Sequence, residues 1–142
     1  MRLSYAWVFA ILALNCNGSF AEDPKLQYAE ARYSEDDMLP VRTTALSPGS
    51  VQRRTMNAAG LPAFFLIGDD DRSRIWLKQR LPQLTKLKAT GLVVNVESKS
   101  ALVNLRQMAP GLTLSPVSAD DLANRLDLRH YPVLITARSI EQ

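Results

Sequence analysis

The sequence predicts an α/β domain: a small, largely parallel four-stranded sheet with about three helices, preceded by a signal peptide and an extended arm. Three observations predict it. Compact apolar runs such as "AFFLIG" (63–68) and "GLVVNVE" (91–97) lack polar alternation and suit strands buried on both faces. Amphipathic segments separate these runs, and right-handed crossovers turn such an alternation of strands and helices into parallel neighbours. Before residue 61 neither period is sustained.

The elements follow in chain order. Arg2 precedes an apolar run from Tyr5 to Leu14 and then "NGSFAED", the layout of a secretory signal peptide with Ser19 and Ala21 as the small residues before cleavage. The run of about ten residues is too short to cross roughly 30 Å of hydrocarbon. Residues 1–21 are therefore read as a leader, with acylation of Cys16 and a retained anchor helix as the competing outcomes. Loss of the leader removes Cys16, the single cysteine, which excludes disulfides, thiolate catalysis and cysteine–metal sites from the exported chain. Net charge is +3 for the whole chain and falls by one when Arg2 leaves, too weak a bias for nucleic acid or an anionic membrane.

Residues 22–60 mix acidic side chains with Pro40, Pro48 and Gly49, which interrupt helices and ladders, and read as an arm with one short strand at "LPVRT". The arm either wraps the domain or waits for a partner. In the domain, 61–142, a helix is expected from about Asp71 to Lys88, with Trp76, Leu77, Leu81 and Leu84 inward and a kink or break at Pro82. A second, about Ser98 to Ala109, turns Leu102, Leu105 and Ala109 to the core. The third starts at Ser118, with a capping box to Asp121 and Leu122 and Leu126 facing inward. "LTLSPV" (112–117) belongs at a sheet edge because Pro116 cannot donate to a ladder, and "VLIT" (133–136) is the fourth strand.

Two places carry candidate chemistry. Asp69, Asp70 and Asp71 follow a buried strand at the end where α/β proteins bind ligands, and adjacent carboxylates can hold Mg²⁺. The simpler role is helix capping, with negative charge placed on the positive end of the helix dipole. The segment around them resembles the first strand and helix of bacterial receiver domains, but no phosphate-accepting aspartate follows a later strand. As D-x-D-x-S, Asp69, Asp71 and Ser73 resemble the haloacid-dehalogenase nucleophile motif, whose remaining acidic motif is missing. The second place is "LRHYPVLIT" (128–136). His130, the only histidine, has no nucleophile motif beside it and cannot build a metal site alone. Tyr131 and Pro132 open the last strand, and the bond between them is either cis or an ordinary trans proline bond.

The stretch from Val117 to Thr136 resembles the thioredoxin-fold segment in which a helix leads into a cis-proline strand. That resemblance implies a backbone edge before the proline able to pair with an extended peptide, without any cysteine. The stretches "LPVRTTALSPGSV", "FFLIGDDDRSRIWLKQRLPQL", "GLVVNVES" and "ALVNLRQMAPGLTLSPVSADDLANRLDLRHYPVLIT", with the terminal "EQ", resemble a family of secreted integrating conjugative element proteins encoded in the transfer clusters of bacterial genomic islands. A remoter similarity is to periplasmic thioredoxin-like pilus-assembly proteins of F-type conjugation. Together these imply a trimmed thioredoxin-like fold and a periplasmic, non-enzymatic accessory of the conjugative apparatus. It would need no cofactor or metal and would meet other apparatus proteins through His130, Tyr131, Pro132, Asp69, Asp70 and Asp71. The alternative is a divalent-metal-dependent hydrolase using the Asp69–Asp71 cluster.

Overall fold

The computed structural model of the chain describes residues 34–142; the leader, Cys16 and the start of the arm lie outside them. Residues Tyr33–Gln142 form one compact unit. Its strands are β1 (Ser47–Pro48), β2 (Arg54–Thr55), β3 (Phe64–Gly68), β4 (Thr90–Asn95), β5 (Leu114–Pro116), β6 (His130–Tyr131), β7 (Val133–Ile135) and β8 (Ser139–Glu141). Three helices intervene: α1 (Asp71–Lys86), α2 (Lys99–Met108) and α3 (Asp120–Leu126).

The mixed α/β architecture is as expected, but the largely parallel four-stranded sheet is corrected. Six strands lie in the order β2-β8-β7-β3-β4-β5, and β1 with β6 forms a separate parallel pair. Only β3, β4 and β5 run parallel, whereas β7, β8 and β2 join by antiparallel pairings. An apolar run has no direction written into it. After α3 the chain must pass from the β5 edge to the far side of β3, and it enters there from the opposite end. As expected, β5 with Pro116 takes the edge.

Alternation along the strands divides the core in two. Phe65, Ile67, Val93 and Leu134 face one side and pack with Trp76, Leu77 and Leu84 of α1 and Leu102 and Leu105 of α2. Leu66, Val94, Val133, Ile135 and Ile140 face the other side, covered by Ala123 of α3 and by Leu46 and Leu128. Burying each such side chain contributes roughly 1.5–3 kcal/mol. Of the kink or break expected at Pro82 the break does not occur, since α1 runs from Asp71 to Lys86 with Pro82 inside it. Pro82 lies on the solvent face, so the carbonyl it leaves unbonded, on exposed Lys78, can meet water. Nor does the Ser118 capping box form: α3 starts at Asp120 behind Ala119, with no side-chain cap. The Ser118 hydroxyl donates instead to the Arg42 carbonyl, 3.3 Å away.

The described part of the arm wraps the sheet. Residues 35–38 make one 3-10 turn, tied by Arg106 to Glu35 and by Lys99 to Asp36. "LPVRT" is not a strand; Val41 makes a single antiparallel bridge to Val96, with both bonds at 2.9–3.0 Å. Thr43, only 2% exposed, donates its hydroxyl to the Val94 carbonyl (2.8 Å) and accepts from the Ala119 N–H (3.0 Å). Asp120 accepts from the Ala45 N–H at 2.9 Å. Further on, β2 extends the sheet beyond β8, and Met56 and Ala58 donate to the carbonyls of Arg138 and Ala137.

Candidate functional site

The carboxyl ends of β3 and β4 and the start of β7 meet at one end of the sheet, since Gly68 lies opposite Asn95 and Leu66 opposite Val133. Tyr131 is set down on this rim. A Cβ at Gly68 would fall 2.5 Å from the Tyr131 ring, so the absence of a side chain there is what lets the ring lie against β3. The phenol oxygen accepts from the Asn95 side-chain amide at 3.1 Å. Burial pushes the Tyr131 hydroxyl above its usual range, opposed by the Asn95 hydrogen bond and reinforced by the negative charge of Asp70. Tyr131 and the aspartate loop therefore do share a rim. The Tyr131–Pro132 peptide is cis, as is Leu39–Pro40.

His130 belongs to a different neighbourhood. Its Nδ1 lies 3.2 Å from the Ser47 hydroxyl and 3.3 Å from the Ser47 carbonyl oxygen, and its ring lies against Gly49, where a Cβ would sit 2.5 Å from Nδ1. The arm strand β1 runs parallel along β6, with Ser47 opposite His130 and Pro48 opposite Tyr131. The Ser47 N–H donates to the Arg129 carbonyl (3.0 Å) and the Gly49 N–H to the Tyr131 carbonyl (3.1 Å). The backbone edge that the thioredoxin-fold resemblance offers to a peptide thus already holds an extended segment from the same chain.

The three aspartates divide between a helix cap and one shared arginine. Asp70 is the N-cap of α1, accepting from the Ser73 N–H at 3.2 and 3.3 Å. Asp69 is bound by Arg74, and its own N–H donates to the Asn95 carbonyl at 2.8 Å. Asp71 has a side chain 99% exposed and reaches Arg74 at 3.6 Å. Ser73, fully buried, turns its hydroxyl to the Gly68 N–H at 3.0 Å. Among the described residues no group of three or more His, Cys, Asp or Glu side chains is placed to hold a metal ion. Among them, too, no helix is long and apolar enough to cross a membrane.

Two residues that the sequence did not single out organise this end of the molecule. Asn95 joins the arm, the phenol and the aspartate loop: its side-chain oxygen accepts from the Thr43 N–H at 2.8 Å, beyond the contacts to Tyr131 and Asp69. A lone amide inside a β-branched run was the available signal, because a buried polar group needs partners. Gln142 donates its amide to the carbonyls of Gly49 (2.8 Å) and Pro132 (3.0 Å), clasping the arm to the start of β7.

No curated protein and no solved structure matches the chain. A family model does match, over residues 12–140, which is most of the sequence. The chain belongs to the family described as a protein of unknown function, DUF2859.

Proposed function

We propose that this protein is a non-enzymatic periplasmic accessory of the conjugative transfer (type IV secretion) apparatus of an integrating conjugative element, working through protein contacts at the Tyr131–Pro132 rim. The observation that carries the reading is the pairing of β1 with β6: the backbone just before Pro132 engages an extended segment through main-chain bonds, the mode by which strand-adding modules take peptides. A trimmed thioredoxin-like fold fits the same facts. β3, α1 and β4 form a parallel unit, α3 leads through Pro132 into the antiparallel pair β7 and β8, and Asp70, Asp71 and Arg72 stand where α1 begins. No helix follows β8 among the described residues, and the arm supplies part of the cover.

The export and the conjugative setting rest on the leader and on the sequence resemblance. In-frame deletion of the gene should abolish transfer of the element and leave its excision intact, with restoration by the intact gene in trans. Unchanged transfer frequency overturns the reading. Calorimetric titration with Mg²⁺, Mn²⁺ and Ca²⁺ separates it from the hydrolase: a metal that binds only the folded state must raise its melting temperature.

A further inference from the structure

Beside the rim, α1 and Pro132 enclose a hollow of about 350 Å³ lined by Arg72, Ile75, Trp76, Gln79, Arg80 and Gln142. Arg72, Trp76 and Arg80 succeed each other at four-residue intervals, so they lie along one stripe of the helix with the tryptophan between the two arginines. Among the described residues neither arginine pairs with an Asp or Glu side chain. Arg72 donates to the Ser50 hydroxyl at 2.9 Å, and Arg80 to the Gln83 side chain at 2.9 Å and to the Gln142 carbonyl. Ile75 is 56% exposed at the same place. The Trp76 Nε1–H is the one buried side-chain nitrogen or oxygen without a partner among the described residues.

We propose that this hollow binds an acidic, extended peptide segment of a partner protein. The spacing selects its pattern. Eight residues of helix place Arg72 and Arg80 about 12 Å apart. In an extended strand, residues four apart lie about 13 Å from each other and point the same way as the residue midway between them. A segment with acidic side chains at its first and fifth positions and an apolar one at its third sets two carboxylates on the two guanidinium forks and the apolar group on Ile75 and Trp76. Pro132, whose carbonyl accepts from the Gln142 amide at 3.0 Å, lines the same hollow. The inference rests on the contact reading of the rim but names the chemistry of the partner.

The test is a fluorescence titration. The chain has two tryptophans, so Trp7→Phe in the purified full chain leaves Trp76 as the sole reporter. The probe is the blocked pentapeptide Ac-Glu-Ala-Val-Ala-Glu-NH2, with its double-Gln counterpart and free glutarate as comparisons. The acidic peptide should change Trp76 emission saturably, and about 0.5 M salt should weaken it severalfold by screening. Arg72→Gln and Arg80→Gln should each weaken it by about tenfold, the loss of one charged hydrogen-bond partner. Circular dichroism of each variant establishes that it is folded, and Arg72→Gln, which gives up only the Ser50 contact, remains informative if Arg80→Gln is not. Equal binding of the Gln peptide, equal binding by the arginine variants, or no saturable change overturns the proposal. Glutarate binding as tightly as the peptide overturns its peptide character. The deletion assay reads transfer and this titration reads the hollow, so the two fail separately.

Discussion

The body of the domain and the arm that wraps it are held by different forces. In the body, side chains at 0–2% exposure, among them Phe65, Leu77, Leu105 and Ile135, fill both sides of the sheet by periodic burial. The arm contributes few buried apolar groups, chiefly Val41 and Leu46, and is fixed by single bonds to particular acceptors: Thr43 to Val94, Thr43 to Asn95, Ala45 to Asp120. Apolar burial tolerates exchange among side chains of similar volume, whereas a bond to one particular atom does not. The contrast separates what sets global stability from what sets local opening.

The largest effect should come from breaking the body. Phe65→Ala removes a fully buried ring that lies 5.9 Å, centroid to centroid, from Trp76. It should cost about 3–5 kcal/mol in urea unfolding, a large share of the roughly 5–15 kcal/mol that holds a domain together. Thr43→Val keeps the shape and removes both hydroxyl bonds, leaving the Ala119 N–H without its acceptor. About 1–3 kcal/mol is expected, read mainly as faster amide exchange in the arm while β3 and β4 stay protected. An equal loss of protection in both regions would show that arm and body unfold as one.

The smallest effect concerns the rim. Because the folded-state pKa of Tyr131 is raised, the folded protein resists losing a proton that the unfolded chain gives up near 10. The stability tied to that group is complete below pH 10 and is lost as pH climbs through the folded value. Tyr131→Phe should flatten this alkaline decline, visible in unfolding curves taken from neutral to strongly alkaline pH.

The body was legible and most of the arm was not. β3, β4, β5 and β7 announce themselves as apolar runs, and the inward faces of α1 and α2 follow from leucine spacing. β8 spans Ser139–Glu141 and β2 only Arg54–Thr55, too short for any period to register. The bond of Ala45 to Asp120 crosses 75 positions, and long-range pairing of that kind leaves no local trace. At the candidate site the aspartates, His130 and Pro132 drew notice as residue types. The capping role was legible because it is settled three residues away, at the Ser73 N–H, whereas that His130 belongs to the arm depended on which neighbours the fold delivered.

Position 95 has a narrow range of substitutes for a reason rooted in valence. Its side-chain oxygen must accept, because the Thr43 N–H can only give, and that choice leaves the nitrogen facing the phenol of Tyr131. Aspartate has the right outline and could accept from the phenol, but it brings a charge to a part-buried site; leucine fills the volume and can bond to nothing. Homologous chains that keep both neighbours should therefore keep an asparagine here, while the surrounding surface drifts.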